Sequence, residues 1–172
     1  MSEKLAIHGG PPTRTLPFPS WPVWDEREEK QILEVLHSGH WGMMNGTKVA
    51  EFEAKFAEFV DAKLALCVTS GTAALEIALR ALGIGPGDEV ITTPYTFVAT
   101  PSAAFLTGAR PVFVDIDPIT FNLDPALVEV AITPATKAIM PIHLFGLTCD
   151  MDPILNVAQK YGLAIIEDAC QA

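Results

Sequence analysis

Two carboxylates, Glu167 and Asp168, stand at the end of the apolar run Leu163-Ala164-Ile165-Ile166. Taking a carboxylate out of water is costly unless a cation or good hydrogen bonds compensate it. One economical partner for Asp168 is a cationic ring nitrogen held at the end of a strand. A charge pair about 4 Å apart, at an effective dielectric of about 20, is worth roughly 4 kcal/mol before desolvation. That raises the pKa of a ring nitrogen by up to about 3 units, enough to keep a pyridine protonated near neutral pH.

A second stretch, "TSGTAAL", places Ser70, Gly71 and Thr72 at the start of a predicted helix. Gly71 has no Cβ to obstruct close backbone approach, and the first-turn amides of a helix have no partners within it. Such a terminus favours an anion such as phosphate. Plain helix capping by Ser70 or Thr72 explains the same residues. Phe97, in "PYTFVAT", could stack on a flat ring for about 0.5–1.5 kcal/mol beyond area burial; ordinary core packing is the alternative. A protonated pyridine that also carries phosphate and an aldehyde is pyridoxal phosphate, an electron sink for carbanion chemistry.

These residues need a scaffold, and the chain supplies one by alternation. Residues 1–24 read as an arm, because "GGPPTRTLPFPSWP" is too rich in proline and glycine for a helix or central strand. Its Phe18, Trp21 and Trp24 suggest that it packs on something. "DEREEKQILEVLHSG" predicts a helix with Asp25 as N-cap, Glu28 three residues on and Gly39 as stop. Val49, Phe52, Phe56 and Phe59 recur at helical spacing and predict a second helix. Then strand-like "LALCV", "EVITT", "PVFVDI", "KAIMPI" and "LAIIE" alternate with helical stretches over 71–82, 96–106, near 126 and over 152–160. Five such strands imply an α/β fold, a mostly parallel sheet with helices on both faces. Ligands in such sheets bind at the carboxyl ends of the strands. "TSGTAAL", "PYTF", "HLFGL" and Glu167-Asp168 all follow predicted strands.

Other patterns exclude alternatives. "GIGPGDEV" follows a helix and precedes a strand, the reverse of a dinucleotide fingerprint, so it reads as a stop and turn. "HGGPP" has no G-x-S-x-G nucleophile elbow to accompany it. His37 and His40 could share a helix edge but have no third ligand, so no metal site is expected. A net charge of −10 argues against nucleic-acid binding. The composition is 49% hydrophobic, yet no apolar run reaches the roughly 18–20 residues of a membrane span, and no signal peptide is expected. Cys67, Cys149 and Cys170 have no metal-type spacing and suit a reducing, cytoplasmic compartment.

In order along the chain, "WPVWDEREEKQILEVLHSGHWG", "TSGTAALEIALRALGIGPGDEVITTPYTFVATPSAAFLTGARPVFVDID", "NLDP", "PIHLFGLTCDMD" and "IIEDACQA" closely resemble the DegT/StrS family of PLP-dependent sugar aminotransferases. The resemblance implies an aspartate-aminotransferase-like large domain of fold type I. Residues 25–172 would be its N-terminal part, with the remaining strands and the small domain absent. It also implies a homodimer, with Gly71 and Thr72 on the cofactor phosphate and Phe97 on the pyridine face. Asp168 would pair with the ring nitrogen, and Gln171 would lie near the 3-hydroxyl. Cys170 replaces the alanine of an "EDAAQ" pattern as a small packing variant, and His143 in "HLFG" reads as structural.

The family's Schiff-base lysine is expected beyond Ala172. None of Lys4, Lys30, Lys48, Lys55, Lys63, Lys137 and Lys160 matches its place. The implied activity of the full protein is amino transfer from glutamate or glutamine to a keto-sugar or keto-cyclitol, with this chain inactive alone. The alternatives are a sugar dehydratase of the same family, a non-catalytic fragment or a cofactor-binding regulator. Nicotinamide-dependent oxidation is disfavoured, because no G-x-G-x-x-G follows a strand.

Overall fold

The structure, a computed structural model, describes residues 4–172, so the first three residues of the predicted arm lie outside the described residues. The chain divides into two compact units, residues up to Leu66 and Cys67–Ala172.

In the first unit, α1 (Glu26–Ser38) begins with the predicted capping box. The Asp25 side chain accepts from the Arg27 amide at 2.8 Å, and Glu28 accepts from the Asp25 amide at 2.8 Å. Gly39 ends the helix in the left-handed conformation, at φ 71°. His40 falls beyond that end, so it does not share a helix edge with His37. The second helix, α2 (Lys48–Phe59), meets α1 through Lys48, which pairs with Glu34 at 3.1 Å. The arm's Phe18, Trp21 and Trp24 remain largely exposed; the Arg14 guanidinium lies over the Phe18 ring, 4.8 Å from its centroid.

The second unit runs α3 (Gly71–Ala81), β1 (Glu89–Thr92), α4 (Ala99–Thr107), β2 (Arg110–Phe113), α5 (Pro125–Val128), β3 (Thr136–Ile139), α6 (Met151–Tyr161), β4 (Ala164–Ile165). The four strands form one parallel sheet in the order β2-β1-β3-β4. The expected strand over 64–68 does not form, so five predicted strands become four. Apolar alternation marks the face a strand would bury but says nothing of its ladder partner. Among the described residues "LALCV" belongs to none of the named strands.

Both faces of the sheet are covered, as short apolar strands require. Val90, Ala138 and Met140 pack against Leu75 and Leu79 of α3 and Ala103 and Ala104 of α4. Ile91 and Ile139, one residue along their strands, point the other way, toward Val128 of α5 and Ile154 and Ala158 of α6. "GIGPGDEV" forms the predicted stop and turn, in which Asp88 Oδ2 accepts from the Gly85 amide at 3.0 Å. From β1 the chain moves outward to β2; after crossing back to β3 it moves the opposite way to β4. The reversal lies between β1 and β3, and the crevice at their carboxyl ends is where such sheets take ligands. No helix among the described residues is long and apolar enough to cross a membrane.

Candidate functional site

Asp168 lies three residues past β4, where the parallel pairing continues as a bridge to Ile142. Its amide donates to the Pro141 carbonyl at 2.9 Å, and its carbonyl accepts from the His143 amide at 3.1 Å. The ladder fixes its backbone, and alternation turns its side chain inward while Glu167 faces out. Asp168 is 6% exposed. Its Oδ2 accepts from Thr100 Oγ1 at 2.7 Å and its Oδ1 from the Cys170 amide at 3.2 Å. Among the described residues no lysine, arginine or histidine forms an ion pair with it. A carboxylate offers about four lone-pair positions, so two remain open. This buried carboxyl group is hydrogen-bonded but has no ion-pair partner among the described residues.

The start of α3 faces the same loop. Ser70 is extended and accepts from the Ala73 amide at 3.2 Å through its hydroxyl, so Ser70 is the helix cap. The amides of Gly71 and Thr72 have no hydrogen-bond partner among the described residues. A Cβ on Gly71 would come within 2.6 Å of Cys170 Sγ. A side chain there would oblige Cys170 to turn aside, so Gly71 marks the close approach of the segment that also carries Asp168, a neighbour the sequence does not reveal. Burial, reinforced by the Asp168 carboxylate, pushes the Cys170 thiol up.

Phe97 is 69% exposed and lies outside the core formed by the described residues. Its carbonyl accepts from the Thr100 amide at 3.2 Å, so Phe97 and Thr100 belong to one turn entering α4. Gln171 Oε1 accepts from the Phe145 amide at 2.9 Å, leaving its side-chain NH2 available. Phe145 sits at φ 54° in the left-handed region, where a bulky residue is uncommon, and this bond helps hold that turn.

His143 is buried and structural. Its Nδ1 accepts from the Cys149 amide at 3.2 Å, which makes Nε2 the protonated nitrogen, donating to Glu167 at 2.8 Å. Asn122, buried, steadies the same loop by accepting from the Leu144 amide at 3.1 Å and donating to the Leu147 carbonyl at 2.9 Å. Neither lysine of this unit approaches Asp168: Lys160 pairs with Glu129 at 2.6 Å, and Lys137 is exposed on β3. Among the described residues no cluster of three or more histidine, cysteine, aspartate or glutamate side chains could hold a metal ion.

Gly71, Asp168, Cys170 and Gln171 thus converge at the carboxyl edge of the sheet, joined there by the turn carrying Phe97. Thr96, Thr100 and Asn122 are the participants that sequence reasoning missed. A trace of the first two lay in "TFVAT", with two hydroxyls one helical turn apart in an otherwise small and apolar stretch.

The model of the DegT/DnrJ/EryC1/StrS aminotransferase family matches residues 22–172. The chain is 53% identical over 157 residues to the spore coat polysaccharide biosynthesis protein SpsC of Bacillus subtilis, covering 91% of this chain and 40% of that protein. It is 46% identical to a putative L-glutamine:3-amino-2,3-dideoxy-scyllo-inosose aminotransferase of Streptoalloteichus tenebrarius, covering 100% and 42%. Its structure matches that of 3-amino-5-hydroxybenzoic acid synthase with a TM-score of 0.89 at 43% identity, over 92% of this chain and 41% of the other. The putative sugar aminotransferase Spr1654 of Streptococcus pneumoniae, in its PMP form, matches with a TM-score of 0.83 at 36% identity, over 92% and 43%. The chain spans about two fifths of the length of the curated relatives it matches.

Proposed function

The chain belongs to the DegT/DnrJ/EryC1/StrS aminotransferase family, and on that premise we propose that the protein carrying it is a pyridoxal-phosphate-dependent aminotransferase. It moves an amino group from an amino acid, glutamate or glutamine, to a keto-sugar or keto-cyclitol. In this reading residues 1–24 are an arm, residues 25–172 are the N-terminal part of the cofactor-binding large domain, and the protein works as a cytoplasmic homodimer. The observation that carries the reading is the buried, cation-free Asp168 carboxylate beside the unpartnered amides that open α3.

The residues fit the group. Asp168 would hold a proton on the ring nitrogen, supplying the charge the cation lacks and receiving the partner it lacks itself. The amides of Gly71 and Thr72 would bind the phosphate. Phe97 would lie on the pyridine face, and the Gln171 NH2 would donate toward the 3-hydroxyl. When bound, pyridoxal phosphate supplies an electron sink for chemistry at the amino-bearing carbon. The Schiff-base lysine would come from the part of the relatives' length that this chain does not span.

The test is Asp168→Asn in the full-length protein, assayed for amino transfer from glutamate and from glutamine. Asparagine keeps the shape and loses the charge, withdrawing about 1–3 pKa units of support for the protonated ring. Cofactor binding weakened about 10-fold or more but still saturable, with amino transfer reduced about 100-fold or more, is expected. Turnover near that of the unaltered protein would remove the role assigned to Asp168.

A further inference from the structure

Two buried threonines in α4 use their hydroxyls differently. Thr107 follows the common helical pattern, donating to the Ala104 carbonyl three residues back at 2.8 Å. Thr100, 1% exposed on the first turn of the same helix, donates instead to Asp168 Oδ2 at 2.7 Å, 68 residues away along the chain. A threonine hydroxyl has one hydrogen, and a carboxylate only accepts. The Thr100 hydrogen is therefore committed to Asp168, so in the 2.8 Å contact between Thr96 Oγ1 and Thr100 Oγ1 it is Thr96 that donates. The result is a directed chain, Thr96 to Thr100 to Asp168. Each bond polarises the next, and the last is charge-assisted.

The chain begins where Phe97 begins. The Phe97 carbonyl accepts from the Thr100 amide, so the turn that carries the exposed aromatic ring also carries the hydroxyl that orients the carboxylate. The Cys170 amide holds the other carboxylate oxygen, and two donors from different elements fix the plane of the group.

We propose that Thr100, supported by Thr96, is a positioning residue that fixes the Asp168 carboxylate against the pyridine nitrogen of the cofactor. The proposal rests on the cofactor reading above. Thr100 touches neither cofactor nor substrate in this role; it acts through Asp168.

The experiment uses the full-length protein in its cofactor-free form, with Thr100→Val, Thr100→Ser and Thr96→Val. Each is titrated with pyridoxal phosphate carrying nitrogen-15 in its ring, and melting without cofactor is followed in parallel. Thr100→Val keeps the shape and removes the donor. Binding weakened about 10-fold, as a lost hydrogen bond to a charged group implies, is expected, together with a displaced ring-nitrogen resonance. Thr100→Ser should restore both to within about 2-fold of the unaltered protein, which a purely structural methyl role would not do. Thr96→Val, outside the direct contact, should weaken binding about 2–3-fold and displace the resonance in the same direction.

Unchanged affinity and resonance in Thr100→Val overturn the proposal. If that variant does not fold, Thr96→Val decides: a displaced resonance supports the chain and an unmoved one overturns it. If the unaltered protein does not bind pyridoxal phosphate at all, the cofactor reading itself falls. Binding by the unaltered protein with an indifferent Thr100→Val removes the positioning role alone.

Discussion

The sheet buries a carboxylate at each end, and the two are treated oppositely. Glu89 opens β1 at the amino edge and is 5% exposed. It is paired with Arg110 and receives hydrogen bonds from Thr133 Oγ1 at 2.6 Å and Thr136 Oγ1 at 3.4 Å. The Thr133 hydrogen bond first, and the Arg110 guanidinium next, hold its carboxyl below the usual glutamate range against the opposing effect of burial. Asp168, equally buried at the carboxyl edge, has two neutral donors and, among the described residues, no ion-pair partner. Glu89 is complete within its own chain and acts as a clamp between β1, β2 and the loop before β3. Asp168 has acceptor capacity left over, which the proposed cofactor reading would assign to a ring nitrogen.

Exchanging the charge for an amide at each end should separate the two roles. The largest effect is the loss of amino transfer of about 100-fold or more in Asp168→Asn, while the same change at Glu89 leaves turnover per folded molecule within about 2-fold. Parallel assays of the two variants at matched folded concentration check this.

Stability should show the reverse order. Glu89→Ala strips Arg110, Thr133 and Thr136 of their shared acceptor and should cost about 2 kcal/mol in urea unfolding. The cost falls short of that for a fully buried pair because the Arg110 side chain is 72% exposed. Asp168→Asn should cost under about 1 kcal/mol in the cofactor-free protein.

The Glu89 contribution should also depend on pH, with a definite sign. Its folded pKa is lowered, so as pH falls below the ordinary value of about 4.3 the unfolded chain takes up the proton first. The stabilisation is complete above that value and is lost on descending through the folded pKa. Glu89→Gln should flatten that part of the stability profile, and an unaltered acid limb would show that Glu89 is not its source.

A smaller effect is expected where the two loops of the carboxyl edge touch. Gly71→Ala should cost under about 1 kcal/mol by denaturant titration, because the one atom its Cβ would meet, Cys170 Sγ, ends an exposed side chain that can turn aside. Least of all, Thr107→Val should leave cofactor affinity within about 2-fold of the unaltered protein, because its hydroxyl serves only its own helix.

The parts of this contrast that were legible in the sequence are those set by neighbours along the chain. Asp25 and Glu28 predicted their capping box, and "LAIIE" predicted a strand ending at the carboxylate pair. The strand expected over 64–68 failed because a ladder needs a partner that local alternation cannot specify. Thr100 was invisible as an orienting residue, since a threonine that bonds its own helix and one that reaches across the fold read alike. Cys170 looked like a simple packing variant; only the fold shows that its sulfur is what Gly71 makes room for. Glu89 gave no sign of burial, because Arg110 and the Thr133–Thr136 turn come from two distant places in the chain.

The most direct test of the central claim is a crystal structure of the full-length protein with pyridoxal phosphate. The account predicts the ring nitrogen within about 2.7–2.9 Å of an Asp168 oxygen, the phosphate on the Gly71 and Thr72 amides, and the Phe97 ring against the pyridine face. A cofactor bound with its ring nitrogen away from Asp168, or its phosphate away from the start of α3, would contradict it.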